Sequence, residues 1–270
     1  MGYRRRASGH PNGGASQPTR LSDADQQILQ ANEHLHGAYQ GQRCFILACG
    51  PSVALEDLSP LDNHLCIGVS QFYLHEQFAH IAPEFHCFTP WHPPLSESDW
   101  VAAAHNIPSN QSPHTKLVFG LADFDRVSIP NQLGKSQHFL GVGRSSQFPT
   151  TDVDLCSALP GPQSVPIMAM LLALGLGCTE IALVGTDFSY LSHYGESQHF
   201  YAEEDSPLHS DSHSEWDGST VYDELRNLTH LWSQFFAIRK LAEDLNVRVY
   251  NTSQKSLLDV FPRCKLSSLV

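Results

Sequence analysis

Paired cysteines, long apolar runs and basic residues are what this 270-residue chain has least of. Its seven cysteines (44, 49, 66, 87, 156, 178, 264) form no CxxC pair, which removes the thioredoxin-type redox motif and the usual structural zinc spacing. The count is odd, and the residues sit in apolar runs such as Arg43-Cys44-Phe45-Ile46-Leu47. They read as reduced core thiols rather than a disulfide framework. The longest apolar run, residues 165–177, falls well short of the ~20 residues a membrane helix needs. Met1-Gly2-Tyr3-Arg4-Arg5-Arg6 carries charge with no apolar stretch behind it, unlike a secretory signal, so a cytoplasmic protein is expected. Lys and Arg number 16 against 28 Asp and Glu, a net charge of −12. That balance argues against nucleic acid or an anionic membrane as partner. A small phosphorylated ligand stays open, because backbone N–H groups at helix starts hold phosphate without a basic surface.

What is present suits one packed domain with appendages. Hydrophobic residues make up 41% and charged residues 16%, enough to fill a sizeable core. Residues 1–22 are rich in Gly, Ser, Pro and Arg without periodicity and are expected to be a disordered tail. Residues 23–270 then form the single domain. A polar helix is predicted over 22–36 with Ser22 as its cap. Strands are expected at 44–48, 65–69 and 85–88, the last two separated by a helix over 71–80, with weaker strands at 117–119 and 138–140. Ser164 and Pro166 suit the start of a helix that is apolar all round over 167–176, hence buried. Gly177 ends it, and 180–185 follows as a central strand. Residues 187–218 hold many His, Ser, Asp and Glu and few aliphatics, which predicts an inserted lid. An amphipathic helix over 220–245 and a last strand at 248–250 complete the chain. Strands alternating with helices predict an α/β fold, doubly wound around a mostly parallel sheet, with a C-terminal lid insertion.

Four segments carry chemistry. Ala48-Cys49-Gly50-Pro51-Ser52 follows the first strand. Gly50 permits a sharp turn, and Ser52 with the following N–H groups can meet a phosphate or carboxylate. The plain alternative is an ordinary strand-to-helix turn. The segment is neither a Walker loop nor GxGxxG. Val184-Gly185-Thr186-Asp187-Phe188 ends a buried strand where open α/β sheets bind ligands; Asp187 either caps a neighbouring loop or touches ligand hydroxyls. The lid offers His193, Tyr194, His199, Phe200, Tyr201, Glu203, Glu204, His209 and His213. A neutral His there could take a proton from an attacking hydroxyl, although a single exposed His is more often merely solvated. Its spacings match no metal-ligand pattern, so no metal site is assigned. Tyr250-Asn251-Thr252-Ser253 with Ser256-Leu257-Leu258 lies on the same rim, or is a simple turn.

Taken in order, these pieces form a pattern: an apolar strand then Gly50-Pro51-Ser52, then Ser70-Gln71-Phe72-Tyr73, then Phe88-Thr89-Pro90. A buried helix, Glu180 to Phe188, a His-Phe pair in the lid and Asn251-Thr252 with Ser256 and Leu258 follow. Over roughly 43–265 the chain resembles the bacterial lipooligosaccharide sialyltransferases of glycosyltransferase family 42. It is also similar to the related DUF115 group, the 6-hydroxymethylpterin diphosphokinase MptE-like proteins often found in surface-polysaccharide (lipopolysaccharide) biosynthesis clusters. The ending, Tyr250 through Arg263, is closer to the latter. The resemblance implies a Rossmann-like sheet and a transferase. It would bind a nucleotide-sugar donor, CMP-linked by analogy and with a sialic-acid-like sugar, and a surface-glycan acceptor, with no other cofactor required. Gly50, Pro51, Ser52, Ser70, Gln71 and Thr89 would line the nucleotide, with Ser164 and Asp187 on the sugar and phosphate side. His199 would be the general base, and Tyr190, Tyr194 and Tyr201 would assist the leaving phosphate. Cys49, Ser70 and Thr89 stand where the sialyltransferases carry amides able to donate and accept, which leaves the donor open. The MptE-like alternative implies ATP and Mg²⁺ near Asp187, Glu203, Glu204 and Asp205; a third reading is a non-catalytic nucleotide- or partner-binding member. A homo-oligomer and peripheral contact with the inner membrane through the basic tail or the apolar terminal segment complete the expectations.

Overall fold

The first strand, β1 (Arg43–Leu47), packs an apolar side chain on each face: Cys44 and Ile46 point to one layer, Phe45 and Leu47 to the other, because successive strand residues alternate. The computed structural model describes residues 20–92, 96–105, 107, 112, 114–127, 136–189, 199–202, 205–206, 220–253 and 255–270. Residues 1–19 of the tail expected over 1–22, and most of the expected lid, lie outside the described residues, while Ser22 caps the first helix.

Seven further strands follow: β2 (Leu65–Val69), β3 (Phe85–Cys87), β4 (Lys116–Gly120), β5 (Gln137–Ser145), β6 (Ala158–Pro160), β7 (Glu180–Val184) and β8 (Arg248–Asn251). They form one eight-stranded sheet in the order β6-β5-β4-β3-β2-β1-β7-β8, and every pairing is parallel. Parallel strands require crossovers through a covering layer, so both faces are buried. The α/β, doubly wound expectation holds, and the sheet is parallel throughout.

The helices are α1 (Asp23–Gln30), α2 (Phe78–Ile81), α3 (Glu97–His105), α4 (Phe124–Val127), α5 (Val165–Gly175) and α6 (Val221–Asp244). Ser22 caps α1 as expected, in a reciprocal capping box with Asp25. Thr220 and Asp223 do the same for α6. Every residue of α5 is buried. It packs with α6 and with Leu258, Val260 and Phe261 against the Cys44, Ile46, Ile67 and Ile181 face of the sheet. Val53, Phe72, Phe78 and Trp100 cover the opposite face.

Three local expectations fail, each for a physical reason. The helix over 71–80 is split into a 3-10 turn (Ser70–Leu74) and α2. His75 is extended between them (φ −69°, ψ 134°), its ring stacked 5.3 Å from Phe72, and the Gln77 side chain accepts from the Leu58 N–H at 3.0 Å. Those tertiary contacts outweigh the modest helix propensity of a short stretch rich in aromatic residues. The α3 helix and β6 lie in a section expected to hold only two weak strands; β6 has three residues, too few to show a period. Ser164 does occupy the N-cap of α5, but its hydroxyl makes no capping bond.

No helix among the described residues is long and apolar enough to cross a membrane. All seven cysteines are free; Cys44, Cys49, Cys66, Cys87 and Cys178 are buried. Burial pushes the Cys49 thiol up to about 12, opposed by a backbone bond at Gln71, so it stays a neutral SH donating to the Val69 carbonyl.

Candidate functional site at the carboxyl ends of β1 and β7

The strand order reverses at β1. From there the chain winds outward through β2 to β6, then crosses back through α5 to place β7 on β1's other side. In open α/β sheets the crevice at such a reversal is where ligands bind, outside the carboxyl ends of the strands. Gly50, Ser70, Thr89 and Asp187 follow the ends of four adjacent strands, β1, β2, β3 and β7, and Ser164 starts the helix that leaves the same edge. All five positions thus lie at the carboxyl-end edge of the sheet, four on adjacent strands and Ser164 after β6 at the sheet's far end.

The closest meeting is between the turn after β1 and the turn after β7. The Gly50 N–H donates to the Gly185 carbonyl at 2.8 Å. A β-carbon on Gly50 would fall 2.5 Å from that carbonyl oxygen and 2.7 Å from Asp187 Oδ2, so only glycine fits. Gly185 itself has φ +69°, the left-handed region that glycine enters without penalty. Asp187, buried, accepts from the Ser52 N–H at 2.7 Å and from the Ser52 hydroxyl at 2.5 Å. Of the two roles open to Asp187 in the sequence, the loop cap is present. The Gly50-Pro51-Ser52 turn has its own carboxylate where an external anion was expected.

Asp187 is fixed from behind by the fourth segment. Its carbonyl accepts from Leu257 N–H at 2.8 Å and from the Ser256 hydroxyl at 3.1 Å. Ser253 Oγ accepts from Thr186 N–H at 3.0 Å, and Asn251 Nδ2 reaches Ser256 Oγ at 3.0 Å and Leu258 O at 3.1 Å. Asn251, Thr252, Ser253 and Ser256 are all buried. They form an internal frame rather than a ligand-facing rim, and the turn alternative describes them.

A described piece of the lid lies over β1 and β2. Phe200 N–H donates to the Cys49 carbonyl at 3.0 Å, and its ring meets His75 at 5.2 Å and Phe72 at 6.3 Å. The Tyr201 hydroxyl donates to Gln71 Oε1 at 3.3 Å. His199 stacks on Tyr201, centroids 4.9 Å apart and planes 8° from parallel. His199 is thus stacked on a ring whose hydroxyl is held by Gln71, 130 positions away in sequence. Tyr190, Tyr194, Glu203 and Glu204 lie outside the described residues. Pro51 opens the first turn after β1 with its ring at the helix start, as expected. Thr89 contributes its carbonyl, which accepts from Trp100 Nε1 at 2.9 Å. Among the described residues no group of three or more His, Cys, Asp or Glu could hold a metal.

Sequence reading placed Ser164 at the site but gave no role to the Tyr73 and Thr186 hydroxyls. The Tyr73 OH, Ser164 Oγ and Thr186 Oγ1 atoms are buried with no hydrogen-bond partner among the described residues. Buried polar atoms nearly always have one. All three lie at the carboxyl-end edge: after β2, at the start of α5, and after β7. Tyr73 stood in the Ser70-Gln71-Phe72-Tyr73 motif without being singled out, and nothing in sequence marks a hydroxyl as unsatisfied. Ser70 and Phe188 also adopt left-handed backbone there, φ +52° and +47°, a conformation that concentrates at functional sites. Further along the same edge, after β4, burial raises the Asp123 carboxyl to about 6, opposed by the Trp91 N–H and Arg126.

With this geometry in place, the chain compares with two solved structures. One is the sialyltransferase CstII from Campylobacter jejuni in complex with a substrate analogue, cytidine-5'-monophosphate. It superposes with a TM-score of 0.51 at 15% identity, covering 83% of this chain and 85% of that one. The monofunctional alpha-2,3-sialyltransferase Cst-I from the same organism gives 0.50 at 15% identity, covering 83% and 80%. At such identity the likeness is one of fold. No family model matches the chain, and no curated protein matches it.

Proposed function

We propose that the chain is a transferase that moves a sugar from a nucleotide-sugar donor, CMP-linked by analogy with its fold neighbours, to a glycan acceptor. The observation that carries this reading is the anchoring of His199 and Tyr201 over the β1–β2 edge by the Phe200–Cys49 and Tyr201–Gln71 hydrogen bonds. It supports a titratable ring and a phenol facing the crevice of the strand-order reversal, where an acceptor hydroxyl and a leaving phosphate would meet.

Each residue then has a task. Gly50 lets the backbone of the first turn approach closely, and the Ser52–Asp187 pair holds that turn rigid. Gln71 and the post-β3 loop at Thr89 flank the base and ribose. The unpartnered Ser164 hydroxyl at the start of α5 forms a seat for phosphate or a sugar carboxylate. The chemistry is a single displacement. An imidazole nitrogen of His199 removes the acceptor hydroxyl proton as that oxygen bonds the anomeric carbon, and the carbon–oxygen bond to the phosphate breaks. Tyr201 turns its hydroxyl from Gln71 to donate to the departing phosphate, a role that Tyr190 and Tyr194 would share. Membership of the DUF115 group and a place in lipopolysaccharide assembly in the cytoplasm are the finer forms of the same proposal.

Thermal-shift measurements with CMP, UDP, GDP and ATP, each with and without Mg²⁺, test it. Metal-independent stabilisation by CMP is expected. Stabilisation by ATP that requires Mg²⁺ would replace the glycosyl reading with a diphosphokinase one, and no response to any nucleotide would remove the transferase reading. In turnover assays His199→Ala should lose activity while keeping the nucleotide shift.

A further inference from the structure

The loop between β6 and α5 gets little hold from the sheet. β6 is an edge strand of three residues, and its register with β5 shifts between Val142 and Ser145, so the ladder ends before the chain reaches Ser164. Gly161 and Gln163 are exposed, yet both are bonded by one buried side chain of α6. Gln234, 6% exposed, donates through Nε2 to the Gly161 carbonyl at 2.8 Å and accepts through Oε1 from the Gln163 N–H at 2.7 Å. A buried amide costs free energy unless its polar atoms are paired, and α6 already docks through Leu231, Phe235, Ile238 and Leu241. An apolar residue at 234 would serve that docking; the amide adds a fixed loop backbone. The same turn of α6 reaches the end of β7. The Phe235 and Trp232 rings lie 5.4 and 6.0 Å, centroid to centroid, from Phe188, which follows Asp187 in left-handed backbone.

We infer that Gln234 is a positioning residue that fixes the Ser164 hydroxyl relative to Asp187, and with it the part of the site that takes the donor's phosphate or sugar carboxylate. This role rests on the transferase reading above and adds to it a residue that touches no substrate. Ser164 Oγ makes no capping bond and has no partner among the described residues, so no contact of its own aims it. Its place depends on where the backbone of residues 161–163 stands, and Gln234 bonds that backbone at both ends. Groups that meet a substrate need such support from the residues behind them, because a small displacement weakens every bond they make.

A double-mutant cycle on donor affinity tests this, read by titrating CMP-sialic acid into the full chain. Gln234→Met keeps the side-chain length and removes both hydrogen bonds; it should weaken binding about tenfold. Ser164→Ala should weaken it comparably. In the Ser164→Ala background, Gln234→Met should cost almost nothing more, because the hydroxyl it positions is gone. Losses that simply multiply, or a lower melting temperature with unchanged affinity, make Gln234 a structural contact and overturn the role. Gln234→Glu keeps the acceptor for the Gln163 N–H and should lose less than the methionine variant; it carries the same cycle if Gln234→Met does not fold. A wild type that binds no CMP-sialic acid is a separate failure, which removes the transferase reading and this role with it.

Discussion

The two ends of the sheet differ in how their polar groups are treated. At the amino ends, buried charge and amide are satisfied inside the chain. Glu180 pairs with Arg43 and, at 2.7 Å, with Arg248. Glu84 pairs with Lys116 and accepts from Tyr39 at 2.7 Å. Asn32 donates to Phe139 O at 2.6 Å and Leu155 O at 3.1 Å and contacts His138 at 3.2 Å. At the carboxyl ends, one carboxylate is consumed in shaping a turn, and three buried hydroxyls have no partner among the described residues. One end is built for stability; the other keeps bonding capacity in reserve.

Substitutions that move one end without the other sharpen this contrast. The largest expected effect is Asp187→Ala, which strands the Ser52 N–H and hydroxyl. Denaturant unfolding should show a loss of about 4 kcal/mol, two charge-assisted bonds at once, and the CMP shift should vanish. Retention of that shift would separate Asp187 from the site.

Acid comes next. Burial lowers the His138 ring from 6.5 to about 4, helped by His34 and Lys116. The folded value is the depressed one, so the unfolded chain binds the proton more readily. Stability is fully present above the ordinary value and is lost as pH falls from 6.5 towards 4, by about 3 kcal/mol in all. Asp123, raised by burial, has the opposite trend between its ordinary value and about 6. The test is therefore the wild-type minus His138→Gln difference in unfolding free energy, which should shrink across that window; a flat difference would sink the assignment.

Glu180→Gln should cost about 1–2 kcal/mol, because the two arginines reach solvent when released, and should leave the nucleotide shift untouched. The smallest effect is Tyr201→Phe, about 0.5 kcal/mol of stability for one long hydrogen bond. Turnover should fall far more than stability does. If both fall alike, Tyr201 only anchors the lid.

Much of the sheet was legible because buried parallel strands leave continuous apolar runs, as at 65–69 and 180–184, and because Ser22 and Gly177 punctuate helices by local chemistry. The 71–80 stretch was misread since its break depends on Phe72 stacking and a Gln77 contact with a loop 19 positions away. At the site, residue types were legible and their state was not. That Asp187 bonds Ser52, and that Tyr73, Ser164 and Thr186 go without, depends on where other segments end up.

Alternation of apolar strands with helical stretches determined a parallel α/β sheet, since no other arrangement buries strands on both faces and supplies their crossovers. Strand order belonged to tertiary structure alone. β7 pairs with β1 rather than extending beyond β6 because the wholly apolar α5 must cross the inner sheet face to be buried, and that crossing brings the turns at Gly50 and Asp187 together beneath the Phe200 segment.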